Sequence, residues 1–120
     1  MSSFLRGFVY AANGILHTVR TQRNMRVHLF ITIVVVLAGA YFRLSAIEWA
    51  VIAVTAGLVL SAEMTNTVVE LAVDLLTRRY DPMAKAAKDV GAGAVLVTAI
   101  AAILVGVAIF GPRLVALLRS

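Results

Sequence analysis

The sequence predicts an all-α membrane protein: one amphipathic helix lying on the bilayer surface, followed by three transmembrane helices in a single domain, residues 1–120. Three observations predict it. Hydrophobic residues make up 62% of the 120-residue chain and charged residues only 14%, against about 25% charged in an ordinary soluble domain. The mean hydropathy is +0.96. The apolar residues gather into three runs, each near the ~20 residues that cross a hydrocarbon core.

The surface helix is expected over 4–20. At ~100° per residue, Phe4, Phe8, Ala12, Ile15 and Val19 form one stripe, and Arg6, Tyr10, Asn13, His17 and Arg20 form the opposite one. The polar stretch "TQRNMRVH" leads into a first span over about 27–43. "RLSAIE" then forms a short turn in which Ser45 or Glu48 caps the next helix. The second span covers about 48–70, and its helix continues toward Tyr80 because neither proline nor any glycine but Gly57 interrupts it. "TRRYDP" breaks that helix. Asp81-Pro82 starts the third, with Asp81 as N-cap and Pro82 in the first helical position. The third span covers about 90–111, with small residues such as Gly91, Ala92 and Gly93 suited to close helix packing. Gly111-Pro112 is expected to end it, leaving "RLVALLRS" as a tail.

The net charge is +5. In so apolar a chain, the basic residues mark membrane sidedness rather than nucleic-acid binding. Four precede the first span (Arg6, Arg20, Arg23, Arg26) and four lie between the second and third (Arg78, Arg79, Lys85, Lys88). The N-terminus and the 77–88 segment are therefore expected in the cytoplasm, as in a multi-pass protein of a bacterial inner membrane. No cleavable leader is expected, because basic residues run through the first 28 positions. The absence of cysteine excludes disulfides, zinc-thiolate sites and thiol nucleophiles. Phosphate loops of the soluble nucleotide-binding types are absent.

One stretch carries chemistry. In "SAEMTNTVVELAVD" (61–74), Glu63, Asn66, Glu70 and Asp74 fall within about 80° of one another on a helix, with Thr67 beside them. If the span enters the bilayer near Glu48, Glu63 lies within the inner leaflet, and Glu70 and Asp74 reach the cytoplasmic boundary. Ionisable residues at such depth usually serve a function or pair with another charge. Asp81, Lys85, Lys88 and Asp89 share one face at the start of the third helix. A tight turn makes the two helices antiparallel neighbours, bringing that face toward the acidic stripe. The combination offers a carboxylate for Mg²⁺, a lysine for phosphate, and a deeper carboxylate suited to act as general base toward a hydroxyl.

"EMTNTVVELAVD", followed after the turn by "AKAAKDVGAGAV", resembles the small bacterial integral-membrane lipid kinases, the diacylglycerol and undecaprenol kinases. Their pattern is E-x-x-N-[ST]-A-[IV]-E-x-x-x-D and then A-K-D. It falls here on Glu63, Asn66, Thr67, Glu70, Asp74 and Ala87-Lys88-Asp89, with Val68 where alanine is usual. The resemblance covers nearly the whole chain. It implies a homotrimer with active sites between subunits, an ATP co-substrate and Mg²⁺. It also implies Glu63 as catalytic base on the lipid hydroxyl, with Asn66, Asn24 and Arg26 near the lipid. Tyr10, Glu70, Arg79, Asp81, Lys88 and Asp89 would meet the nucleotide, and Glu70 and Gln22 the metal. Gln22 departs from the family, which usually has an acidic metal ligand there. "RNMRVHL", "LSAIEW" and "AAKDVGAGAV" look most like the undecaprenol branch, which implies undecaprenyl phosphate as product; diacylglycerol, giving phosphatidic acid, is the alternative.

Two rival readings use the same carboxylates. A small cation-coupled transporter subunit needs polar residues in both bilayer halves, and the outer half offers little beyond Thr32, Thr55 and Thr98. A purely structural role, with ion pairs joining helices, predicts no phosphoryl transfer.

Overall fold

The computed structural model describes residues 1–120 as four helices: α1 (Ser3–Thr21), α2 (Arg23–Phe42), α3 (Ala46–Leu76) and α4 (Pro82–Arg119). Three of them, α2 to α4, are long and apolar enough to cross a membrane. α4 packs mainly along α3, α2 lies against α3, and α1 touches α2 and α3.

Local chemistry sets each boundary. The Ser2 hydroxyl accepts from the Leu5 N–H and starts α1. Gln22 alone separates α1 from α2, in an extended conformation, and its side chain makes no capping bond. The polar stretch before the first span is thus mostly helix rather than linker. Arg43 ends α2 in the left-handed region, at φ 55°. A full capping box then opens α3: the Ser45 hydroxyl accepts from the Glu48 N–H, and the Glu48 carboxylate accepts from the Ser45 N–H. Leu44, just before the cap, is buried, and the Trp49 ring lies over Gly39. A Cβ on Gly39 would stand only 2.6 Å from that ring, so this glycine permits the α2–α3 approach. Asp81 opens α4 by accepting from the Met83 and Ala84 N–H groups, with Pro82 in the first turn as expected.

The C-terminus differs from expectation. Gly111-Pro112 does not end the last helix; α4 continues to Arg119 with Pro112 inside it. A proline removes one backbone donor and crowds the preceding turn, and membrane helices tolerate it where neighbours compensate. Here Arg113 donates to the Ile109 carbonyl at 2.6 Å and reaches both oxygens of Glu48 across the helix pair, at 2.7 and 2.8 Å. That clasp ties the proline-containing turn to the start of α3.

Only 10 of 120 residues are buried, so the chain has almost no interior of its own. Val97, Ile103, Leu104 and Val107 instead expose most of their surface along α4. An isolated soluble protein does not present such a surface; lipid tails and further copies of the chain can cover it.

Candidate active site

The rigid α3 helix carries Glu63, Asn66 and Thr67 on its most buried face. Glu63 is 1% exposed, and its Oε2 has no hydrogen-bond partner. The nearest basic group is His28 of α2, whose Nε2 lies 3.9 Å from that oxygen. The separation is too long for a hydrogen bond. One turn along α3, Asn66 is 7% exposed, and its Oδ1 also lacks a partner. Gly91 of α4 sits directly against that amide, and a Cβ there would collide with Oδ1. The Thr67 hydroxyl donates to the Glu63 carbonyl at 2.9 Å. Two unpaired oxygens, a carboxylate and a carboxamide, are therefore held a helical turn apart on one face. Leaving such groups unpaired costs free energy, and any group that bonded them would relieve that cost.

Beyond them the α3–α4 turn forms an open cleft of about 960 Å³, lined by Asp74, Arg79, Asp81, Lys85, Lys88 and Asp89 among others. Lys88 donates to Asp74 at 2.7 Å, and Lys85 to Asp89 at 2.5 Å. Lys88 precedes the apolar run of α4. Its hydrogen bond to Asp74 pushes its pKa above the ordinary lysine value, against a smaller opposing effect of burial, so the ammonium is charged at neutral pH. The amino end of α4 opens on the same cleft, but the Asp81 carboxylate already accepts from its first N–H groups, so anion binding there rests on the basic side chains. Arg78, Arg79, Lys85 and Lys88 at the rim of an apolar bundle can meet phosphate oxygens.

The antiparallel turn thus brings together Asp74, Arg79, Asp81, Lys88 and Asp89, and places them beyond Glu63 and Asn66 on the same helix pair. Asp81 already spends one oxygen on capping α4. Glu70 is half-buried and makes no side-chain hydrogen bond or ion pair. Gln22 is likewise uncommitted, at the α1–α2 junction. Nowhere do three or more His, Asp or Glu side chains cluster as a self-sufficient metal site. Tyr10 and Asn24 are exposed and lie outside the cleft lining. Arg26 folds back to donate to the Val19 and Arg20 carbonyls, at 2.9 and 3.1 Å, and so ties the α1 carboxyl end to α2. His28 is the neighbour that sequence reasoning missed. Its partner lies on another helix, and no spacing rule links positions 28 and 63.

Comparison with known proteins adds a second line of support. A family model described as prokaryotic diacylglycerol kinase matches residues 9–110. The chain is 42% identical over 114 residues to the undecaprenol kinase of Bacillus subtilis (strain 168), covering 95% of this chain and 93% of that one. It is 43% identical over 117 residues to the diacylglycerol kinase of Synechocystis sp. (strain ATCC 27184 / PCC 6803 / Kazusa), covering 97% of this chain and 67% of that one.

Proposed function

This chain belongs to the prokaryotic diacylglycerol kinase family, a family of lipid kinases, and from that premise we propose that it transfers the γ-phosphoryl group of ATP to undecaprenol, giving undecaprenyl phosphate at the cytoplasmic face of a bacterial inner membrane. The observation that carries this reading is the buried, unpartnered Glu63 carboxylate one turn from Asn66, on the helix that leads into the basic cleft.

In this mechanism the lipid hydroxyl enters laterally from the bilayer and the nucleotide enters from water. Glu63 accepts the hydroxyl proton as the oxygen attacks the γ-phosphorus, and ADP leaves. Asn66 orients the hydroxyl, with Asn24 and Arg26 bordering the lipid headgroup. Lys88 balances charge on the phosphoryl oxygens; Arg79, Asp81 and Asp89 border the nucleotide in the cleft, and Tyr10, outside that cleft in one chain, would border it across a subunit interface. Glu70 and Gln22 would hold Mg²⁺, which supplies charge neutralisation at the phosphates. Gln22 offers an oxygen without charge, so Mg²⁺ binding is weaker than with glutamate there. We further take α1 to lie in the membrane interface with the N-terminus cytoplasmic, and the active unit to be a homotrimer with sites between subunits. The transporter reading draws no support from relatives that both carry kinase names.

Diacylglycerol is the alternative acceptor, given the Synechocystis relative. A labelled-ATP assay on purified protein, with undecaprenol and diacylglycerol side by side, separates the two. Glu63→Gln is expected to abolish transfer and leave ATP binding largely intact; substantial residual transfer would overturn the role of Glu63.

A further inference from the structure

A second cavity of about 340 Å³ begins where the polar stripe ends. α2, α3 and α4 line it, and it is partly open on the lipid-facing side. His28 and Val59 lie at its inner end, Ala56 and Ala102 along its middle, and Gly106 and Phe110 at its far end. Val59 stands one helical turn from Glu63, and His28 lies 3.9 Å from the Glu63 carboxylate. His28 is thus both a wall of this groove and a neighbour of the Glu63 carboxylate, so the inner end of the groove lies beside the proposed reacting centre. The groove runs away from the charged cleft for ~16 Å along α4, as the rise from 99 to 110 requires.

Apart from His28 at its inner end, its walls offer no free polar group. The two threonines lining it, Thr32 and Thr55, both donate to carbonyls of their own helices at 2.7 Å. Small residues open the space: a leucine at position 56 or 102 would fill it. The volume suits one slender hydrocarbon chain. An engineered cavity of about 150 Å³ takes a single benzene ring, and this groove is little more than twice that size. Two acyl chains side by side do not fit.

We propose that this intramolecular groove holds the first part of the substrate's hydrocarbon tail, and that its single-chain width selects a one-tailed lipid alcohol over a two-tailed one. The inference rests on the lipid-kinase reading above and adds the tail subsite and the basis of selectivity. The groove brings one chain to His28, next to Glu63, so the hydroxyl at the chain's end arrives beside the proposed base. A diacylglycerol can place only one tail in the groove, and its branched glycerol must hold the second outside, at the narrow mouth beside His28.

The test uses full-length protein in detergent micelles containing undecaprenol or diacylglycerol. Wild type should use undecaprenol with at least tenfold higher kcat/KM than diacylglycerol. Ala56→Leu and Ala102→Leu should raise KM for undecaprenol at least tenfold, with KM for ATP and the oligomeric size unchanged. Ala101→Leu, on the exposed face of α4, should behave as wild type. Unchanged undecaprenol KM in both filled variants would overturn the groove assignment, as would wild-type use of diacylglycerol equal to undecaprenol. Loss of the wild-type oligomer on filling would also overturn it, by showing that the groove receives a helix of another copy. Failure of wild type to phosphorylate either lipid would instead remove the kinase reading on which the inference rests.

Discussion

Gly91 and Asn66 face each other so closely that no side chain fits between them. Gly91→Ala is expected to push the Asn66 amide from its place. Overpacking of this kind costs about 1–3 kcal/mol; expressed in the barrier, that lowers kcat by about tenfold or more. Steady-state kinetics alongside ATP titration check this: kcat should fall while nucleotide affinity holds. Gln22 is the other residue whose identity carries a prediction. Its carboxamide leaves Glu70 as the one charged protein ligand proposed for Mg²⁺. Gln22→Glu should lower the Mg²⁺ concentration needed for half-maximal activity, and an unchanged or raised requirement would count against the assignment. Lys88→Met removes the ammonium from the cleft and leaves Asp74 unpaired; KM for ATP should rise, read from initial rates at saturating lipid.

At the scale of the elements, α3 and α4 are held at both ends by polar chemistry and between them by small residues. One end has the Lys88–Asp74 pair, the other the Arg113–Glu48 clasp. Glu48 serves twice, in the capping box and in the clasp. Ser45→Ala is expected to cost about 1 kcal/mol, as lost N-caps do, and thermal unfolding in detergent measures it. The site lies at the other end of α3, so KM for ATP should not move. The capping box, the Asp81-Pro82 start and the polar stripe were legible in the sequence because each depends on residues within a turn or two. The course of α4 through Pro112 was not. A glycine-proline pair is a sound stop signal locally, and what overrides it is an arginine one residue on, bonded to a glutamate 65 positions away.

At the scale of the molecule, the chain turns most of its apolar side chains outward. Such a surface needs lipid or other copies of the chain to cover it, and cross-linking in native membranes is expected to give trimers. The Glu63 carboxylate is buried among helices while the cleft lined by Lys85 and Lys88 is open. This division suits a reaction between one partner confined to lipid and another confined to water.

The sequence by itself determined the all-helical class, the three apolar spans and the stripe from Glu63 to Asp74. It also carried the family motif, since each of these is a pattern of composition or of spacing along one helix. Only the tertiary structure decided that His28 stands beside Glu63, that Gly91 abuts Asn66, that α4 passes through its proline, and that a narrow apolar groove reaches His28. Each of those depends on side chains from different helices meeting at a particular depth. Helix packing sets that depth, and no periodicity within a single segment encodes it.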